Sequence, residues 1–130
     1  MKILIAGRLE PWLKKISLAI IKKLPASEKY DLYDNMKRAA RSVTRNIAEG
    51  YGRFHYKENI QFCRISRGSL TEILDDLITC RDEEYITMTE YNDVRKRIET
   101  ALRILNGYIN YLTSAEGKKN KTETPLTNNN

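Results

Sequence analysis

The sequence predicts an all-α protein, an antiparallel up-down-up-down four-helix bundle over residues 1–116 followed by a disordered polar tail over residues 117–130. Three observations predict it. Apolar residues recur at steps of three and four along nearly the whole chain, which is the period of one helix face. Breaks fall at "LPASEKYD", at "EGYGRF" and at "EEYITMT", leaving connections so short that successive helices must fold back on one another. No strand pattern competes for the same residues, and 130 residues suffice for one core but not for two.

The first predicted helix places Trp12, Leu13, Ile16, Ile20 and Leu24 on one face and Lys14, Lys15, Lys22 and Lys23 off it, with Pro11 suited to its first turn. Pro25 stops it, and Ser27 or Asp31 can cap the next. In the second predicted helix Leu32, Met36, Ala39, Val43 and Ile47 share a face, and the pattern runs until Gly50 and Gly52. The third starts near His55 or Tyr56 and turns Ile60, Cys63, Leu70, Ile73, Leu74 and Leu77 inward, ending around "CRDEEY". At ~1.5 Å per residue its length is ~42 Å, which argues for an elongated bundle. Thr87 and Glu90 then form a capping box. The fourth helix carries the most regular seam, Tyr91, Val94, Ile98, Ala101, Leu105, Tyr108 and Leu112. Past Gly117 the chain is polar and lacks apolar anchors.

Charge narrows the function classes. The formal net charge is +6, which suits contact with RNA, DNA or an acidic partner. Its distribution is uneven: residues 1–54 carry 12 Lys+Arg against 5 Asp+Glu, whereas residues 55–85 carry 4 against 7. The basic excess therefore lies in the first half. Cys63 and Cys80 show no paired-cysteine spacing, and His55 is the only histidine, which is too few ligands for a zinc site and unlike a secreted disulfide framework. Reduced thiols in a cytoplasm are expected, with no metal and no cofactor. The opening "MKILIAG" is too short for an export signal and lacks a glycine-rich phosphate loop behind it. No stretch reaches the ~18 apolar residues of a membrane span.

Catalytic constellations are missing from the pattern. A di-iron bundle needs two Glu-x-x-His motifs, and one histidine cannot supply them. Cys63 falls on an apolar helix face, where a packed thiol is the expected role, and His55 stands at a helix start without a neighbouring nucleophile. A non-enzyme is expected.

Two groups of residues remain as candidate sites. Lys37, Arg41 and Arg45 form one stripe of the second helix with Arg38 alongside, away from the Met36/Val43/Ile47 face, and such a row can track phosphates. A solvated face is the competing reading, since Glu49 stands four residues from both Arg45 and Arg53. Arg53, flanked by Tyr51, Phe54 and Tyr56 in "NIAEGYGRFHY", joins these cations as a candidate contact, and its loop is the place to look for a base contact, although aromatics at a helix junction more often pack than bind. The second group is a structural polar network. Gly68 and Ser69 sit inside a helix, and Asn46 and Glu49 are natural partners for Arg64, Arg67 or Ser69 of the "RGSLTE" segment that ends at Glu72.

The run from Leu24, Pro25, Glu28 and Leu32 through Arg38, Ala39, Ser42, Asn46, Ile47, Ala48, Glu49, Gly50, Gly52 and Arg53 to Phe62, Arg67, Gly68, Ser69, Leu70 and Glu72 resembles a known family. That family comprises the four-helix-bundle proteins first noted as products of intervening sequences in bacterial 23S ribosomal RNA genes. The match is specific over residues 24–74; the basic opening "MKILIAGRLEPW" departs from the acidic, aromatic start common in the family. The resemblance implies a ring-shaped homopentamer. It extends to the accessory proteins of diversity-generating retroelements, basic pentameric bundles that engage nucleic acid and a reverse transcriptase. No activity or ligand residue carries over from it. The expected function is thus a non-catalytic oligomeric bundle binding RNA or other nucleic acid through a basic face, the alternative being a scaffold that recruits a protein.

Overall fold

The computed structural model describes Ile20, residues 22–27 and residues 31–123, and these residues are helical apart from their connections. Among the described residues three helices are given in full: α1 (Leu32–Tyr51), α2 (Tyr56–Asp82) and α3 (Met88–Glu123). They correspond to the second, third and fourth predicted helices. The first predicted helix lies almost entirely outside the described residues, but Ile20 and Leu24 from its end are buried in the common core. Lys23 beside them pairs with Glu90 at the start of α3.

Each helix buries the stripe its period predicts. On α1 Leu32, Met36, Ala39, Val43 and Ile47 are all buried. Leu70, Leu77, Leu105 and Leu112 have no exposed surface at all, and full burial of such a side chain contributes about 1.5–3 kcal/mol. Along α3 the seam holds from Tyr91 to Leu112, with Val94 half-buried. Helix α2 lies between the other two and packs against both. The polar contacts give the direction of travel: Ser42 meets Ser69, Val43 meets Ser66 and Gly50 meets Asn59, so α1 and α2 run in opposite senses.

The ends differ in detail from expectation. Asp31 occupies the N-cap position of α1 but makes no capping side-chain bond. The Thr87 capping box forms fully: the Thr87 amide donates to Glu90 Oε1 at 3.0 Å and the Glu90 amide donates to Thr87 Oγ1 at 3.1 Å. With Lys23 first among the causes and these bonds behind it, the Glu90 carboxyl is held down at about 2. Helix α2 closes with Glu84 at φ 60°, the Glu84 amide donating to Arg81 O at 3.0 Å and the Tyr85 amide to Cys80 O at 2.9 Å. That pair of bonds satisfies the last carbonyls of the helix in the usual left-handed C-terminal motif. The final helix does not stop at Gly117; it continues to Glu123.

The glycines of "NIAEGYGR" are also reassigned. Both were expected to end the second predicted helix, but Gly50 lies inside the last turn of α1 and only Gly52 is its C-cap, at φ −78°. Neither has positive φ. Gly50 is small because α2 presses on it: a Cβ there would stand 2.6 Å from Asn59 Oδ1, 3.0 Å from Phe62 Cβ and 3.2 Å from Asn59 O.

Candidate nucleic-acid interface

Helix α1 is amphipathic in two senses. Its apolar stripe faces α2 and the core, so the 3.6-residue period turns Lys37, Arg41 and Arg45 outward in a row one turn apart. A parallel row of Arg38, Ser42 and Asn46 lies on the α2 side. Between the two rows runs a concavity of about 670 Å³ lined by Asp34, Lys37, Arg38, Arg41, Ser42, Arg45 and Asn46. Arg38, Arg41 and Arg45 are exposed and Lys37 is half-buried, its ammonium 5.4 Å from the centre of the Tyr33 ring. Arg38 donates to Asn35 Oδ1. Among the described residues none of these four cations has a carboxylate within 4 Å, although Asp34 lines the same groove.

Below the groove a chain of small polar groups joins α1 to α2. Asn46 donates through Nδ2 to Ser42 O at 2.8 Å and Ser42 Oγ at 3.1 Å, and Ser69 Oγ donates to Ser42 Oγ at 2.8 Å. Deeper still, the buried Ser66 hydroxyl donates to Val43 O at 2.8 Å. Of the expected network residues, Asn46 and Ser69 therefore meet, through Ser42. The other three do not join them. Glu49 pairs with Arg53 at 3.4 Å, Arg67 donates across to Asn106 Oδ1 of α3 at 3.0 Å, and Glu72 is exposed.

Arg53 is likewise separate from the other cations. Its guanidinium lies between Glu49 and Glu58, the latter at 4.0 Å, and 5.1 Å from the Phe62 ring centre, so it fastens the α1–α2 junction and does not line the groove. Asp34 and Ser42 belong to the groove and were not singled out from sequence as site residues. Ser42 and Asn46 follow Arg38 at steps of four, a signal that was there to be read.

On the α2 flank stand Glu72, Asp75 and Asp76. Burial, then the neighbouring Asp75 and Glu72, push the Asp76 carboxyl up to about 6, while Arg38 across the interface pulls it down. The surface thus changes sign within one helix spacing. What the groove offers chemically is a row of donors and positive charges for an extended anion. Cys63 and Cys80 are both buried, and the described residues hold no group of three or more His, Cys, Asp or Glu side chains placed to bind a metal ion. No helix among them is long and apolar enough to cross a membrane.

Fold and groove together define an all-helical protein with a cationic face on α1. Over residues 12–107 the chain matches the family described as 23S rRNA-intervening sequence protein, and it belongs to that family. No curated protein matches the chain.

Proposed function

We propose that this protein is a non-catalytic, oligomeric four-helix bundle, antiparallel and up-down-up-down, that binds RNA through the groove on α1. The observation that carries the proposal is the convergence of Lys37, Arg38, Arg41 and Arg45 on one concavity without a carboxylate in ion-pairing range among the described residues. Like charges gathered on one surface repel one another, and a polyanion relieves that repulsion while releasing its own counterions. Membership of the family supports RNA as the polyanion.

Self-association is supported by what the single chain leaves uncovered. Ile65 and Gly68 on α2, and Ile104, Gly107 and Tyr111 on α3, are exposed at helical spacing, and among the described residues a Cβ at either glycine would meet nothing within 4 Å. Glycine inside an exposed helix costs about 1 kcal/mol relative to alanine. Close packing by a second copy offsets that cost, and the family resemblance implies five copies in a ring. A scaffold that recruits a protein is the second reading, favoured by Phe54, which is 99% exposed at the α1–α2 junction.

The test is fluorescence anisotropy of a labelled structured RNA over a salt series, with an equally charged basic protein as control. Tighter binding than the control, lost by roughly tenfold or more in Arg41→Glu/Arg45→Glu with its circular dichroism unchanged, is the expected result. Binding no better than the control, or unaffected by the charge reversal, overturns the proposal in favour of the scaffold.

A further inference from the structure

Resting on the reading of α1 as a nucleic-acid face, the geometry points to a single strand as the ligand: we propose that one unpaired RNA strand lies lengthwise in the groove, its successive phosphates on Lys37, Arg41 and Arg45, and that the carboxylates of α2 exclude a second strand.

Two features of the site carry this. The first is spacing. Four residues of α-helix advance about 6 Å, so the three cations form a straight row about 12 Å long with one charge per turn. Successive phosphates on one extended strand are separated by a similar distance. A row of this kind follows one backbone; it does not bridge two backbones across a groove. The second feature is the border. Arg38 and Ser42 line the α2 side of the concavity, Ser42 is bonded to Ser69 of α2, and Glu72, Asp75 and Asp76 lie on the same helix just beyond. Asp76 experiences both its acidic neighbours and Arg38, which puts Asp76 within electrostatic reach of the Arg38 and Ser42 side of the groove, with Glu72 and Asp75 next to it on α2. A duplex laid on Lys37, Arg41 and Arg45 brings its second row of phosphates towards that border, where like charges repel. A single strand instead turns sugars and bases that way. There the floor offers acceptors for hydroxyl and amino groups: the Asn46 Oδ1, which takes no hydrogen bond among the described residues, and the carboxylate of Asp34.

The experiment uses the full chain and two probes, an unstructured RNA of about 12 nucleotides and the same strand annealed to its complement. The single strand is expected to bind at least roughly tenfold tighter at physiological salt, with log K falling against log salt at a slope of about −2, as three single-strand phosphate contacts require. Glu72→Gln/Asp75→Asn/Asp76→Asn should raise duplex affinity more than single-strand affinity and so narrow the preference. Duplex binding equal to or tighter than single-strand binding, or a preference unmoved by the triple variant, overturns this inference and leaves the RNA-binding reading standing. Absence of binding to both probes and to the structured RNA overturns both.

Discussion

Gly50→Ala tests whether the α1–α2 junction is held by contact or by chain conformation. A methyl group at this position would stand 2.6 Å from Asn59 Oδ1 and 3.2 Å from the Asn59 carbonyl, with Phe62 Cβ at 3.0 Å. Two of those three are backbone or first side-chain atoms, which move only if the helices move. Asn59 is itself buried and committed: its Nδ2 donates to the Tyr108 hydroxyl of α3 at 2.9 Å, and the Cys63 thiol approaches its Oδ1 at 3.5 Å. Moving it strains a contact that joins α2 to α3. Overpacking costs about 1–3 kcal/mol, and a buried polar group left without its partner costs about 1–3 kcal/mol more. Against these, alanine gains up to about 1 kcal/mol of helix propensity. The expected net loss is about 2 kcal/mol, a fall in Tm of roughly 8 °C at roughly 4 °C per kcal/mol. It is read by thermal and urea unfolding at 222 nm at fixed subunit concentration. Gly52→Ala is the control: its new methyl would meet only carbonyl oxygens at 3.7 and 3.9 Å, and φ there is already −78°, so its Tm should stay within a few degrees of wild type. A Gly50→Ala protein melting at or above wild type would refute the close-approach account of this glycine.

Two further expectations concern the ends and flanks of α2. Glu84→Gly should raise stability by about 1 kcal/mol, because Glu84 sits at φ 60°, where a side chain is disfavoured and glycine is not; an unchanged or lowered urea midpoint would count against the assigned C-terminal motif. Asp76→Asn should stabilise the protein near pH 7.5 and lose that advantage as the pH falls. Its folded carboxyl lies at about 6 against 3.8 for the ordinary group, so the contribution of Asp76 is fully present below pH 3.8 and is lost as pH rises through 6. Because the residue is half exposed, screening by solvent keeps the gain to about 1 kcal/mol. A stability gap between Asp76→Asn and wild type that is constant from pH 4.5 to 7.5, or larger at the acid end, would show that burial of the carboxyl does not govern its titration.

How much of this was legible beforehand differs from element to element. The apolar seams of α1 and α3 were readable residue by residue, because burial in a helix depends on a period that sequence displays directly. So was the capping box at Thr87, whose two bonds lie within four residues. The basic row on α1 followed by subtraction: what the core does not take, the surface receives. The groove itself did not. Ser42 and Asn46 become its floor only because Ser69 of α2 arrives opposite Ser42, and nothing local to α1 states which residue of α2 stands there. Arg53 and Glu49 show the local case: the four-residue spacing that offers them as an ion pair is the contact they make, at 3.4 Å, since a near partner is reached before a distant one.

The sequence by itself therefore determined the all-α class, the helical stripes, the turns and the place of the positive charge, all of which depend on spacing along one chain. Only the tertiary structure decided the rest. It took Gly50 from a helix stop to the contact point of two helices, sent Arg67 to Asn106 on α3 and not to α1, and brought Asp76 of α2 within electrostatic reach of Arg38 of α1. Each of these depends on the register between helices, which is settled by how side chains of several elements fill one volume together and which no single helix specifies alone.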